Sequence, residues 1–501
     1  MKGTLSFLLA AIMVFATTAC GSVSPSENQT DTTPGSSGTV DETDLLPEIF
    51  TKGLNFGGET ITFLYRADAV SEFYVEESTG DIVDDALFES RSYVEDALNV
   101  KLEVIERSWL DTGREQYTNH IATTVLSGDD VYDWVDQIAD EWYKLVPQGL
   151  MVDLSDNEYI DLSKPWWNSG LVTDANIGGG IFYLVGDYSL GYLKDIYCIY
   201  FNKELAEECR VGDLYSFVRE GKWTIDKAME LSALAAMDIN GDGSIDIEND
   251  RLGFVMHDLY HLPGFIASCN VNLAARDGDS WIMGLGTERD HGIVEKLNKL
   301  LYNTDGNYIF PASRTSTANL ESYGKVTSKF ISGDILFLTS QMNDAVTDLR
   351  DMKSDYGILP FPKYEESQET YQTFSRSTHA VVGMPATCAD YAMASAVIEA
   401  IAAANHERVI PAYYETALKV KYSRDDDSAE MYDLILSGAT LNFGYLNKNC
   451  MRASGTTPSV ELFMSGVKDP NTFMSKVAAN RENCQKLLDD YVSEVSQYVN
   501  K

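Results

Sequence analysis

Charged and aromatic side chains follow three predicted β-strands near the start of the chain. They are Arg66 and Asp68, then Arg107 and Trp109, and then Asp140, Glu141 and Trp142. An indole ring offers a flat face on which the C–H face of a pyranose can stack, and carboxylate and guanidinium groups can pair with its hydroxyls. The three loops together predict a saccharide-binding surface, although each residue taken singly could equally be a solvated loop charge or a core tryptophan.

The segments around these loops predict alternating strands and helices. Residues 59–65 and 100–104 alternate between apolar and polar, and 81–98 carries an apolar helical stripe. A helix over 114–126 and a strand over 132–138 complete a β-α-β-α-β order, which implies a parallel sheet flanked by helices. Ligands of such sheets bind beyond the carboxyl ends of the strands, where the three loops lie.

The composition excludes several classes of partner. The chain has 501 residues, with 38 Lys+Arg against 77 Asp+Glu and a formal net charge of −39. Nucleic acid and anionic lipid surfaces attract clustered basic side chains, so this balance argues against both. The charge also disfavours anionic ligands. Because 44% of the residues are hydrophobic and 11% aromatic, the chain is predicted to fold rather than to remain a disordered acidic polymer.

The N-terminus has the features of an export signal. Lys2 precedes a largely apolar stretch over 5–15, and Ala19-Cys20 follows it. This ending resembles the bacterial lipobox, with Thr17 where Leu is usual; the resemblance implies cleavage before Cys20 and a diacylglyceryl group on its thiol. An ordinary signal peptide with an incidental cysteine is the alternative. The next residues are rich in Ser, Thr, Gly and Pro, so we predict a signal peptide over 1–19 and a lipidated cysteine with a flexible linker over 20–54.

Five segments share the order and pattern of landmarks in one known family. They are Gln137–Leu154, Asp195–Leu205 with its Asn202-Lys203, Glu220–Asp226, Phe330–Phe337 and Tyr356–Lys363. In this order they resemble the type-1 extracellular solute-binding proteins of the maltose-binding kind, over about residues 59 to 405. The resemblance implies an α/β, two-lobed periplasmic-binding-protein-like fold (type II). Each lobe is then a mostly parallel sheet flanked by helices, with a hinge between the lobes and the ligand in the cleft.

The resemblance also implies domain bounds and further site residues. The N-lobe is expected over 55–195 plus 359–405 and the C-lobe over 196–358 plus 406–501. Trp166 and Trp167 either line the cleft or staple the crossover between the lobes. Further cleft contacts are expected at Asp187, Tyr188, Gln341, Asn343, Arg376 and Ser377.

A second reading of Glu220–Asp226 concerns packing rather than ligand contact. Thr224 is placed to cap a helix that has Asp226 in its first turn. Trp223 is then predicted to pack in the core.

The segment 238–250 has the spacing of a calcium loop. Oxygen-bearing side chains stand at relative positions 1, 3, 5 and 9, and Gly243 at position 6 allows a sharp turn. Position 12 is Asn249 instead of the usual Glu, so Asp250 or Glu248 is a substitute ligand. We predict that this loop binds a structural Ca²⁺; the alternative is an isolated Asp- and Asn-rich turn without an ion. The predicted ligands of the ion are Asp238, Asn240, Asp242, Ser244, Asp246 and Asp250.

These patterns lead to one functional hypothesis and two alternatives. The hypothesis is a lipid-anchored, monomeric binding protein on the extracellular face of the cell membrane. It would capture a carbohydrate, most simply an oligosaccharide, by hinge closure and deliver it to the permease subunits of an ABC importer.

The chain has no GxSxG, HExxH, Walker A or strand-linked GxGxxG motif. A secreted glycoside hydrolase is the first alternative, because a catalytic carboxylate pair is defined by its separation in space; an adhesive surface module is the second. Peptides, polyols and uronides stay open as ligands.

Overall fold

The computed structural model describes residues 46–109, 113–278, 280–310, 317–414, 418 and 425–500. The predicted signal peptide, Cys20 and most of the predicted linker lie outside the described residues. Residues 47–501 form one compact unit. No helix in the described parts of the chain is long and apolar enough to cross a membrane.

The strands are β1 (Glu59–Arg66), β2 (Val100–Arg107), β3 (Trp134–Ile138), β4 (Tyr197–Asn202), β5 (Leu252–His257), β6 (Ala274–Asp277), β7 (Ser280–Met283), β8 (Tyr308–Phe310), β9 (Ile335–Gln341), β10 (Tyr356–Leu359) and β11 (Ala380–Gly383). The helices of the first half are α1 (Glu48–Thr51), α2 (Ile82–Leu98), α3 (Arg114–Leu126), α4 (Gly170–Thr173), α5 (Gly191–Lys194), α6 (Lys203–Glu208), α7 (Leu214–Arg219) and α8 (Ile225–Ala235). Those of the second half are α9 (Asp258–Ser268), α10 (Glu288–Tyr302), α11 (Thr317–Ile331), α12 (Tyr391–Pro411), α13 (Asp426–Ser437), α14 (Phe443–Leu446), α15 (Ser459–Lys468) and α16 (Pro470–Ser496).

The first sheet confirms the predicted β-α-β-α-β order. Its strand order is β11-β3-β1-β2, and β1 runs parallel to both β2 and β3. Helix α2 begins after Asp81, whose carboxylate accepts a hydrogen bond from the Val83 amide at 2.9 Å. The strand that pattern reading missed is β11, which joins from far along the chain and pairs antiparallel with β3.

The second sheet has the order β10-β4-β9-β5-β8. Strand β5 is parallel to β8 and β9, whereas β4 is antiparallel to β9 and β10. Helix α8 packs on β5. Its cap is Thr224 as predicted, since the Thr224 hydroxyl accepts a hydrogen bond from the Lys227 amide at 3.3 Å. Trp223 is fully buried and donates its indole N–H to the Pro360 carbonyl at 2.9 Å, which confirms its packing role.

The chain passes between the two sheets through neighbouring segments. One segment leads from the first sheet into β4, and the other leads from β10 back to β11. Ile196 and Ser375 form an antiparallel bridge between these segments, and the Tyr197 amide donates to the Phe374 carbonyl at 3.0 Å. Hinges between lobes are formed by a few loop or element-terminal residues, which is the position of these segments.

Candidate ligand-binding cleft

A cavity of about 630 Å³ lies where elements of both sheets meet. Its wall includes Asp140 from the turn after β3, Tyr197 from β4 and the crossover segment 376–378. Four tyrosines contribute aromatic surface: Tyr143, Tyr197, Tyr302 and Tyr445. We call this cavity the cleft. Of the residues predicted to bind ligand, Asp140, Glu141, Arg376 and Ser377 line it.

The Asp140 side chain in the cleft wall contacts three polar side chains. It is only 4% exposed, and its Oδ2 atom lies 2.9 Å from Lys448 Nζ and accepts a hydrogen bond from Ser377 Oγ at 3.2 Å. Its Oδ1 atom lies 3.8 Å from Arg114 Nη1 and accepts no hydrogen bond from any described residue. Burial alone would raise the pKa of Asp140, but Lys448, Arg114 and Ser377 together hold it below its usual value. A buried, ionised carboxylate with one unsatisfied acceptor atom therefore lines the cleft.

Glu141 and Arg376 are anchored on either side of Asp140. Glu141 Oε2 lies 2.6 Å from Lys144 Nζ. The Arg376 amide donates to the Asp195 carbonyl at 2.9 Å, and the positive charge of Arg376 partly offsets the effect of burial, which raises the pKa of Asp195. Gln341 lies behind this group and donates its amide N–H to Asp195 Oδ1 at 3.1 Å, without lining the cleft.

Arg66, Asp68 and Trp109 form a cluster beside the cleft rather than in its wall. Arg66 Nε donates to Asp136 Oδ2 at 2.8 Å, and Arg66 Nη1 lies 3.3 Å from Asp68 Oδ2. Two guanidinium groups lie near the Trp109 ring, with its centroid 5.7 Å from Arg66 Cζ and 4.8 Å from Arg114 Cζ. Arg114 thus connects this cluster to Asp140 and to the cleft.

The other tryptophans predicted to contact ligand have partners in the protein interior. Trp142 is fully buried and packs against Tyr183, with the two ring centroids 5.5 Å apart. Trp166 and Trp167 donate their indole N–H groups to the two carboxylate oxygens of Glu399 on α12, at 3.0 and 2.7 Å. These hydrogen bonds agree with the structural role predicted for Trp166 and Trp167. The element that the two side chains hold is, however, α12 and not the crossover between the lobes.

Asp187 is tied to the same helix. Its Oδ2 atom lies 2.6 Å from Nδ1 of His406, and this contact raises the pKa of His406. Asp187 does not line the cleft.

Several cleft residues come from the C-terminal part of the chain and were missed by sequence reading. The Tyr445 hydroxyl accepts a hydrogen bond from the Ser377 amide at 3.1 Å, and the Asn449 side chain donates to the Asp140 carbonyl at 3.0 Å. Lys448 lies between Tyr445 and Asn449 in the sequence. The run of aromatic, amide and basic residues over 445–452 lacks a helical apolar stripe, and this is the signal that could have marked it.

The carboxylates of the 238–250 loop point to backbone amides. Asp238 accepts bonds from the Gly241 and Gly243 amides at 2.7 and 2.8 Å, and Asp250 accepts from the Ile239 and Asp246 amides at 2.8 Å each. Gly243 has φ +86, as the predicted sharp turn requires. Within the described ranges, no three or more His, Cys, Asp or Glu side chains form a group that could hold a metal ion.

Comparison with known proteins identifies the architecture. No family model and no curated protein matches the chain. Among solved structures, UgpB from Mycobacterium tuberculosis in complex with glycerophosphocholine is 13% identical, with 86% of this chain and 99% of that chain covered and a TM-score of 0.56. The galacto-N-biose-/lacto-N-biose I-binding protein of an ABC transporter from Bifidobacterium longum is 12% identical, covers 87% and 98%, and has a TM-score of 0.55.

A third match is the extracellular solute-binding protein from Staphylococcus aureus in complex with maltose. It is 11% identical, with 87% of this chain and 97% of that chain covered and a TM-score of 0.51. Each match spans nearly the whole of the other protein, so the likeness includes both sheets and the cleft-bearing region between them. Identity at this level speaks for the fold. The chain therefore has the two-lobed α/β fold in which extracellular solute-binding proteins are built.

Proposed function

We propose that this protein is the extracellular solute-binding component of an ABC transporter and captures a carbohydrate in the cleft. Its structural neighbours include binding proteins of ABC transporters and proteins in complex with maltose or lacto-N-biose. The observation that carries the proposal is the wall of the cleft. It combines tyrosine rings with the buried Asp140 carboxylate, whose Oδ1 atom accepts no hydrogen bond from any described residue and so keeps an unused acceptor position for a donor such as a sugar hydroxyl.

Capture would follow from the position of the cleft between the lobes. Asp140 belongs to the turn after β3 of the first sheet, and Tyr197 belongs to β4 of the second. A solute that touches both groups binds the closed state better than the open one, so it shifts the population toward closure. We propose that the two moving bodies are the N-lobe over 55–195 plus 359–405 and the C-lobe over 196–358 plus 406–501.

We propose binding without covalent chemistry. A glycoside hydrolase needs a carboxylic acid that is protonated at working pH, and its pKa is usually raised. The pKa of Asp140 is instead held below its usual value, and Glu141 is ion-paired with Lys144. The Asp140 carboxylate is thus arranged to stay ionised and accept hydrogen bonds.

The remaining parts of the proposal concern location and partners. We propose that the protein is held by lipidated Cys20 at the extracellular face of the cell membrane, acts as a monomer and delivers its solute to importer permease subunits. Radiolabelled palmitate incorporation in an expressing bacterium would test the anchor, with Cys20→Ala as the variant expected to lose the label.

Truncating an exposed tyrosine of the cleft tests the binding site directly. We expect Tyr302→Ala to weaken saccharide binding about tenfold, because stacking aromatic faces contributes on the order of 1 kcal/mol. Tyr302 is 41% exposed, so the fold should tolerate the change. Tyr159→Ala is the matched control, since its ring contacts Lys52 away from the cleft.

Calorimetry would measure affinity with a saccharide found by thermal-shift screening, and small-angle scattering would measure compaction on binding. Release of reducing sugar from the bound saccharide would establish the hydrolase instead. Equal affinity losses in the two tyrosine variants would contradict the assignment of the cleft.

We also propose that the 238–250 loop binds a structural Ca²⁺. The support is its ligand spacing and the turn at Gly243. Loading would require Asp242 and Asp246 to exchange bonds to the Ser244 and Glu248 amides, now 2.9 and 2.8 Å long, for bonds to the ion. We expect a chelator to lower the melting temperature of the protein by several degrees, because an ion that binds only the folded state stabilises it by mass action. An Asp242→Ala variant should be insensitive to chelator, and an unchanged melting temperature for the native protein would refute the proposal.

A further inference from the structure

The charge of the cleft is opposite to that of the whole chain. Acidic residues outnumber basic ones by 77 to 38 in the sequence. In the cleft, five basic side chains stand against three acidic ones, which are Asp140, Glu141 and Glu461. The basic set is Arg114, Arg376, Lys448, Arg452 and Lys468. The protein therefore gathers positive charge at the one place where a solute would be held between the lobes.

Each carboxylate of the cleft already has a cation beside it. Asp140 has two, Lys448 at 2.9 Å and Arg114 at 3.8 Å. Glu141 is paired with Lys144 at 2.6 Å, and Glu461 is in contact with Arg452. Each pair takes up a positive charge as well as a negative one, and five basic side chains against three acidic ones still leave the cleft wall with a net positive charge. A cleft with low-dielectric walls concentrates the field of such charges on the space that the solute enters.

We propose that the solute is an acidic saccharide, a sugar carrying a carboxylate, sulfate or phosphate group. This inference rests on the proposed function and names the ligand class of the same site. Guanidinium groups pair with planar oxyanions in a bidentate manner, and Lys supplies a point charge. The tyrosine rings of the cleft remain available for the apolar face of the sugar ring.

This ligand class differs from the one that the overall composition favours. A net charge of −39 suggests repulsion of anions. However, exposed charges farther away than a Debye length of about 8–10 Å are largely screened at physiological salt, so the groups that face the solute decide the sign.

The test is calorimetry on the full chain with pairs of saccharides that differ only in charge. One pair is trigalacturonate and its fully methyl-esterified form; the other is a sulfated chondroitin disaccharide and its unsulfated form. In at least one pair we expect the acidic member to bind about tenfold more tightly or better, and its affinity to fall as NaCl is raised. Equal or weaker binding of both acidic members relative to their neutral counterparts would overturn the inference.

Two variants localise the effect to the cleft. Lys448→Gln removes the cation beside Asp140, and Lys468→Gln removes an exposed one at the end of α15, where loss of fold is not at issue. We expect each to weaken binding of the acidic member several-fold more than binding of the neutral member. Lys486→Gln is the control, because its side chain is 72% exposed on α16. Equal losses for the acidic and the neutral member in Lys468→Gln would also count against the inference.

Failure of this inference can be told apart from failure of the proposed function. If neutral saccharides bind and compact the protein in scattering, and acidic saccharides bind no more tightly, then carbohydrate capture is supported and the preference for acidic saccharides is refuted. If no saccharide binds and no compaction occurs, both fall.

Discussion

Replacing Asp136 with alanine is expected to lower the free energy of unfolding by about 3–5 kcal/mol, because the change strands a buried guanidinium. The Arg66 and Asp136 side chains are 3% and 0% exposed, respectively. Asp136 Oδ2 accepts bonds from Arg66 Nε at 2.8 Å and from the Arg66 amide at 3.1 Å. Burial works against the charged form of Arg66, yet Asp136 and Asp68 raise its pKa overall, so the guanidinium stays charged and needs its partner.

The second carboxylate at Arg66 supplies the matched control. Asp68 lies 3.3 Å from Arg66 Nη1, and its side chain is 27% exposed. Water can replace it, so Asp68→Ala should cost less than about 1 kcal/mol. Urea denaturation of the three proteins measures both effects, and an unchanged m-value would show that the denatured states are comparable. Similar losses in the two variants would mean that Asp136 is not the principal counter-charge of Arg66.

Replacing Glu399 with alanine is the second large effect, with an expected loss of about 2–5 kcal/mol, because each buried donor left without an acceptor costs about 1–3 kcal/mol. Glu399 is 3% exposed and accepts bonds from both the Trp166 and the Trp167 indole N–H groups. It also accepts the Asp161 amide at 3.3 Å. Glu407→Ala, on the exposed side of the same helix, should change stability by no more than about 0.5 kcal/mol.

Glu399 also predicts a pH dependence of stability. Burial raises its pKa from 4.5 to about 7, against the opposing effect of the Trp167 and Trp166 donors. In this window the folded protein binds more protons than the unfolded one, so the contribution of Glu399 to stability falls as pH rises from 4.5 to about 7. The free energy of unfolding of the native protein should therefore fall relative to that of Glu399→Gln as pH rises across that window. Denaturation curves at several pH values measure it, and parallel pH profiles for the two proteins would contradict it.

The elements that the sequence predicted well are those with strong local patterns. The stripe over 81–98 and the alternation over 59–65 depend on which face of a helix or strand meets the core, and both elements form where expected. The cap at Thr224 is equally local, because its hydroxyl needs only the amide of Lys227, three residues on. Strand β11 has no such signal, since its four residues acquire their role only by pairing with β3.

The site was predicted in part for the same reason. Asp140 and Glu141 were found because the carboxyl ends of parallel strands face ligands in this kind of sheet. The tryptophans near them carried a less specific signal, since an indole serves a buried core as readily as a sugar, and Trp142 is fully buried. Lys448 and Tyr445 lie some three hundred residues from Asp140 and have no pattern that points to it, as the Asn449–Asp140 separation of 309 residues illustrates.

By itself the sequence determined the strongly patterned strands and helices, the cap at Thr224 and the overall charge of −39, because each depends on periodicity, local hydrogen bonding or a simple count of residues. The two-lobed fold was implied by the family landmarks in the sequence. Only the tertiary structure decided which charges meet in the cleft. Hydrogen bonds and ion pairs act over a few ångströms, whereas the residues that make them here come from the turn after β3, the crossover at 376–378 and the C-terminal segment 445–468. An acidic chain can for this reason present a basic cleft.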